Sequence, residues 1–315
     1  MQKAIKLSMI LLVLSAAADA QAPAPANSLP FTLKPLGNNV WAAIDDAKGD
    51  AGANAGFVVG YNGVAVIDTF ENAAAAKQLL AEIQKLTKLP VKYVINTHYH
   101  LDHVAGNGVF AETGAVIVGH RNLRGWIHTE NLKFFGRDIK PDQRAMVEGL
   151  VPPDIVYDSV IELYLGSRRI LVRSFPGHTG GDSVVTVPDA QVVFCGDLFW
   201  RKTLPNLIDA STDKWMTTLA KITGGSEQAV FVPGHGDVGR AADVQEFGGY
   251  LEALRTMAAQ PVKDGFTGDA LVNAVLPNLK QKYGSWNLFE YFARPNVLDM
   301  ARELRGDKKI PQPST

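Results

Sequence analysis

Cysteine is almost absent. The chain of 315 residues holds one, Cys195, so it can form no internal disulfide and no metal site built from several thiolates. Stability must come from core packing, or from ions held by nitrogen and oxygen. Histidine is scarce too, with seven copies, so their placement carries weight. Neither sign of charge dominates, since 31 Lys and Arg stand against 32 Asp and Glu, and no basic stripe points to nucleic acid. After residue 20 no apolar run is long enough to cross a bilayer. There is no short-period repeat of a solenoid or propeller. No Gly-x-Gly-x-x-Gly follows a strand, so nothing suggests a dinucleotide fold.

What is present begins with a leader. Lys3 and Lys6 precede the apolar run Leu7–Ala17, and Ala18-Asp19-Ala20 supplies a small-x-small cleavage pattern. The expectation is a signal peptide over residues 1–20, cut after Ala20, and a periplasmic or secreted mature protein with no membrane segment left. The Ala- and Pro-rich stretch that follows predicts a flexible linker over 21–30. Apolar residues make up 46% of the chain, enough for a packed core.

Residues 31–69 read as strands, with turn signals at Asn38-Asn39 and Tyr61-Asn62-Gly63. The stretch Glu71–Thr87 has helical periodicity and strong helix formers. Val91–Asn96 is a strand that runs straight into a histidine cluster. A helix near Val104–Glu112 and a strand at Ala115–Val118 follow. Residues 120–150 are partly helical and carry Trp126, Phe134 and Phe135. After Pro152-Pro153 strands are expected near 155–164, 168–174, 183–187 and 191–195. A helix at 213–222, a strand at Ala229–Val232 and helices at 241–259 and 267–282 complete the pattern. Both halves end strands in polar loops that bear histidine. This predicts an α/β fold of two mixed sheets packed face to face, helices outside, as one domain over residues 31–315.

The chemistry centres on Thr97-His98-Tyr99-His100-Leu101-Asp102-His103. In extended backbone alternate side chains point the same way, so His98 and His100 can reach one metal ion together. The chain must then turn, and Asp102 and His103 can address a second point nearby. Imidazole and carboxylate are both good zinc ligands. His178 lies in Pro176-Gly177-His178-Thr179-Gly180-Gly181, and His235 in Val232-Pro233-Gly234-His235-Gly236. Asp197 follows Phe194-Cys195-Gly196. Each sits at a strand end beside glycine, which lets backbone approach closely. His120 and His128 fall outside the pattern and read as structural or surface residues.

Taken together, Thr-His-x-His-x-Asp-His with distant His, Asp and His resembles the metallo-β-lactamase superfamily, over about residues 31–306. The resemblance implies an αββα sandwich with a metal cleft at one edge. It assigns His98, His100 and His178 to a first metal and Asp102, His103 and His235 to a second. Asp197 would bridge the two, as in the glyoxalase II-like and cyclase-like branch. It implies two zinc ions per chain, though the donors also suit iron or manganese. A bridged pair lowers the pKa of a shared water from about 16 toward about 7, and Asp102 is the candidate catalytic residue that orients it or carries its proton. The implied substrate is a small molecule with a carbonyl group: a β-lactam, lactone, ester or thioester. One alternative is a β-lactamase specifically, and another is an iron-dependent sulfur dioxygenase-type enzyme on the same fold.

Further candidates are weaker. Asp68 could fix the tautomer of a ligand histidine, or simply cap a strand. Thr179 and Asp182 could shape the His178 turn. Arg201 or Lys202 could hold a substrate carboxylate, although a solvated surface charge is the plainer reading. Trp126, Phe134 and Phe135 could roof the cleft or belong to the core. Cys195 reads as a packed core thiol.

Overall fold

The computed structural model describes residues 29–312, apart from 47, 137 and 225–227. The expected signal peptide and residues 21–28 of the linker lie outside the described residues.

The first half of the chain folds into a seven-stranded sheet in sequence order. β1 (Phe31–Gly37), β2 (Val40–Asp45), β3 (Ala55–Val59) and β4 (Val64–Ile67) are successively antiparallel. β5 (Val91–Ile95), β6 (Val116–His120) and β7 (Ile155–Tyr157) then add in parallel. The second sheet is built from β8 (Val160–Leu165), β9 (Arg168–Ser174), β10 (Ser183–Val187), β11 (Val192–Trp200) and β12 (Val230–His235). Its first four strands are antiparallel, and β12 lies parallel to β11.

The central strands are buried on both faces, and their alternation divides the core in two. In β4, Val64 and Val66 face outward to helix α1 (Ala73–Leu86), where Leu79 and Ile83 meet them. Ala65 and Ile67 face inward, to Val172, Val185 and Phe194 of the other sheet. In β11, Val193 and Cys195 pack toward the outer helices, while Val192 and Phe194 fill the space between sheets. Asn72 starts α1 by accepting a 2.8 Å hydrogen bond from the Ala75 amide. Full burial of Leu79 and Ile83 contributes about 1.5–3 kcal/mol each. Four helices cover the second sheet: α7 (Thr212–Thr223), α8 (Ala241–Lys263), α9 (Gly268–Tyr283) and α10 (Phe289–Arg305). Short helices α2 (Leu101–Val104), α3 (Asn107–Ala111), α4 (Arg121–Trp126), α5 (Thr129–Phe135) and α6 (Pro141–Glu148) fill the first half. The layers are helix, sheet, sheet, helix, as expected.

Several local boundaries differ from the sequence reading, four of them for visible reasons or by a wide margin. The single strand expected near 155–164 is two strands, β7 and β8, because the chain changes sheets at Asp158-Ser159. The helix near Val104–Glu112 breaks at Gly106, where a Cβ would strike the Thr69 carbonyl and the Ala76 side chain. β11 runs on past Cys195 to Trp200. α8 continues through Pro261 to Lys263.

The sheets pack tightly where Gly56 meets Phe194, since a Cβ on Gly56 would overlap the phenyl ring. Gly56→Ala is expected to lower stability by about 1–3 kcal/mol. The denaturation midpoint in urea should fall with an unchanged slope.

Candidate metal centre

Every expected donor lies at one edge of the sandwich. The loop after β5 carries His98 and His100, and the short helix α2 that follows it carries Asp102 and His103. The β9–β10 turn carries His178, a break within β11 carries Asp197, and the end of β12 carries His235. Asp68, just past β4, anchors the first loop from a left-handed conformation, φ 56°. Its carboxylate accepts from the Thr97 amide at 2.8 Å and the Thr97 hydroxyl at 2.7 Å, and faces His103 Nδ1 at 2.9 Å. His103 therefore donates from Nδ1 and turns Nε2 into the centre, the tautomer-fixing role suggested for Asp68. The Asn131 amide donates to the Tyr99 carbonyl at 2.7 Å and ties down the same loop.

The other donors are held as firmly. Asp182 accepts from the Thr179 amide at 2.8 Å and from its hydroxyl, which shapes the turn after His178. β11 loses register with β12 between Phe194 and Gly196 and again before Trp200, and this irregularity turns Asp197 toward the edge. Gly196 adopts φ 49° tight against Thr97, and a Cβ at Gly234 would strike the Asp197 carboxylate. Trp200 lies flat on His235, ring centroids 3.9 Å apart.

The donors fall into two groups: His98, His100, His178 and Asp197, and Asp102, His103 and His235. Within each, the donor atoms lie within 4.8 Å of one another. Asp197 faces both. Its Oδ2 is 3.7 Å from His98 Nε2 and 3.2 Å from His178 Nε2, while its Oδ1 is 3.0 Å from His103 Nε2 and 3.4 Å from His235 Nε2. Asp102 Oδ2 is 3.5 Å from His103 Nε2 and 3.2 Å from His235 Nε2. Two ligands each about 2.0–2.1 Å from a tetrahedral zinc ion stand roughly 3.3 Å apart, so the spacings fit the corners of ion-sized tetrahedra. His98 Nε2, His103 Nε2, His235 Nε2 and Asp197 Oδ1 are buried and make no hydrogen bond. Orphaned buried polar atoms need an explanation, and a cation among them supplies one.

Electrostatics point the same way. Burial alone would raise the Asp197 carboxyl, but His235, His103, His98 and His178 hold it well below the usual range. Burial would lower His235, yet Asp197 and Asp102 lift it to about 9. His103 is likewise held high by Asp197, Asp102 and Asp68 against its burial. Burial pulls His178 down to about 3, so the ring stays neutral and keeps one nitrogen lone pair free for a ligand role. Protons and cations compete for these atoms.

One carboxylate went unnoticed in the sequence. Asp209 accepts from the Tyr99 hydroxyl and lies 3.4 Å from His100 Nε2, which leaves His100 Nδ1 facing His178 Nε2 at 2.9 Å. Burial and Asp209 push the Tyr99 hydroxyl up, so it stays protonated and keeps donating. The Asp209 loop is itself clamped, because Lys308 Nζ donates to the carbonyls of Leu207 and Ala210, both at 2.6 Å. No motif marks Asp209, since it meets His100 only through the tertiary fold.

The remaining candidates separate cleanly. His120 ends β6, and His128 directly precedes α5. Their rings hydrogen-bond the carbonyls of Asp158 at 2.9 Å and Leu150 at 3.0 Å, away from the donors. The Cys195 thiol is buried, which pushes its pKa up and leaves it a core residue. Arg201 turns away to Asp243 at 3.0 Å and to the Val238 carbonyl, and Lys202 pairs with Glu246. Trp126 packs edge-on against Tyr99 in the core, whereas Phe134 and Phe135 line a cleft over the donors.

The profile of the metallo-beta-lactamase superfamily matches residues 49–264, a stretch that includes every donor above. The chain is similar to the linear primary-alkylsulfatase of a Pseudomonas species, at 24% identity over 272 residues, 71% of this chain and 51% of the relative. It thus spans about half the length of that protein. It is similar to the metallo-beta-lactamase type 2 of Bacillus cereus at 28% identity over 219 residues, 66% of this chain and 78% of the relative. Among solved structures, the metallo-beta-lactamase from Pontibacter korlensis shares the fold, with TM-score 0.59 and 23% identity over 70% of this chain and 99% of the other. With the profile covering more than half of the sequence, and the sandwich and donor edge in place, the chain belongs to the metallo-β-lactamase superfamily.

Proposed function

We propose that the protein is an exported hydrolase of acyl bonds that works with two divalent cations, zinc being the best match to its nitrogen and oxygen donors. The observation that carries this reading is Asp197, whose two carboxylate oxygens each face a different donor group. A single structural ion needs four ligands and no open position, but seven side chains converge here beside an open cleft. When bound, the cations supply an acidified water and a Lewis acid for a carbonyl.

The chain's own residues do the rest. His98, His103, His178 and Asp197 are buried and exclude bulk solvent from one side. Asp102 is more open, with 27% of its side chain exposed, and it borders the cleft. It is placed to hold the attacking water by a hydrogen bond and to pass its proton to the leaving group. Asp68 and Asp209 act through histidines, holding His103 and His100 in the required orientation.

Asp197→Ala is expected to reduce bound zinc from two ions per chain to one or none and to lower turnover by about 100-fold or more. Metal analysis beside turnover of a chromogenic ester or lactam checks both. Unchanged metal content with full activity would refute the bridge, and one bound iron in the native protein would favour the redox alternative. Asp209→Asn should weaken binding of one ion by about 10–100-fold in competition with a chromophoric chelator, while the far-UV spectrum stays native. Edman sequencing of the exported protein should begin at Gln21, and an intact leader would overturn the proposed cleavage.

A further inference from the structure

Lys308 looks like a stray charge in the sequence, since it follows α10 in Gly306-Asp307-Lys308-Lys309. In the fold its side chain is 6% exposed. An ammonium carries three donors and is strongly hydrated in water, so its burial calls for a reason. Nζ donates to the carbonyls of Leu207 and Ala210, both at 2.6 Å, and Glu303 Oε2 lies 3.6 Å away. None of these partners is a metal donor. The two carbonyls bracket Ile208 and Asp209, in the middle of the loop between β11 and α7.

That loop is a wall between two cavities. Asn206 borders the metal cleft, while Ile208 and Asp209 border a second cavity of about 440 Å³ whose other walls include Phe134 and Lys308. Leu207 and Ala210 are buried in the core, but Ile208 and Asp209 between them have open space behind. A segment with few packing contacts moves easily unless hydrogen bonds hold it. The α10 side supplies them at three points. Asn296 Nδ2 donates to the Pro205 carbonyl at 2.9 Å, Glu303 accepts from the Thr212 amide at 2.8 Å, and Lys308 secures the middle. The loop in turn touches two donors of one metal group. Asp209 faces His100, and the Ser211 amide donates at 2.9 Å to the carbonyl of Gly177, next to His178. Among the described residues it makes no hydrogen bond to Asp102, His103 or His235.

Resting on the two-cation reading above, we infer that Lys308 is a positioning residue for the metal centre: by holding the turn from Leu207 to Ala210 it sets Asp209 against His100, and so tunes the affinity for the ion of His98, His100, His178 and Asp197. The other ion does not depend on it, because His103 is oriented by Asp68 instead. Lys308 touches no donor, so its effect passes chiefly through Asp209. Two residues that act in series are not additive, and the effect of Lys308 shrinks once Asp209 can no longer act.

Competition of the zinc-loaded protein with a chromophoric chelator tests this. Lys308→Met should weaken binding of one ion by about tenfold and leave the other within about twofold. In the Asp209→Asn background the same substitution should change affinity by less than about twofold. Lys308→Gln keeps an N–H donor on a shorter stem and should fall between the two, and it carries the same comparison if Lys308→Met does not fold. A second readout needs no turnover. With isotope-labelled histidine, the His100 ring N–H that faces Asp209 should exchange with solvent faster in the Lys308 variants than in the parent protein. Unchanged affinity, equal weakening of both ions, or a full effect in the Asp209→Asn background overturns the inference and leaves the hydrolase reading standing. A parent protein that binds no zinc would overturn that reading and this inference with it.

Discussion

A carboxylate can face two groups of imidazoles at once only if its stem is fixed between them, and the backbone around Asp197 fixes it there. The break in the β11–β12 register turns it out of the strand, and Gly196 takes a left-handed conformation to allow the turn. Gly234 leaves the space that its carboxylate fills. Four imidazoles then crowd its two oxygens. A larger residue at either glycine would displace the carboxylate, and the donors on both sides would lose their common partner.

The layers explain why such crowding is tolerated. Buried polar atoms without partners are expensive, and several sit here within one small volume. The sandwich supplies the rigidity to hold them, because its strands are locked on both faces by separate hydrophobic clusters. Outside the donors a further ring of polar side chains sets their orientation. Asp68 holds His103, Thr97 sits 3.1 Å from His98 Nδ1, and Asp209 faces His100. The fold thus stores an electrostatic demand at one edge and meets it with oriented ring nitrogens.

What could be read from the sequence depended on how local each signal is. The run from Thr97 to His103 is a strand end and a turn, so its pattern is written in seven consecutive residues. His178, Asp197 and His235 were legible because glycine flanks each at the end of an apolar strand. The layer order followed from strand and helix periodicity. Asp209 was invisible because 109 residues separate it from His100, and an aspartate in a loop looks like any other. The cleft was only partly legible: Phe134 and Phe135 stood out as possible roof residues, but Phe292 did not, and apolarity alone does not distinguish either kind from core Phe110. The change of sheet at Asp158-Ser159 escaped notice because alternation continues on either side of it.

The clamp of Lys308 on the Leu207 and Ala210 carbonyls has a consequence for how the centre is assembled. The donors begin at His98, but the loop that steadies His100 is secured by a residue more than two hundred positions further along the sequence. Joining segments so distant carries a loop-closure cost that no local turn can meet. The orientation of His100 is therefore a property of the completed tertiary fold, and a fragment holding the histidine motif alone would lack that brace.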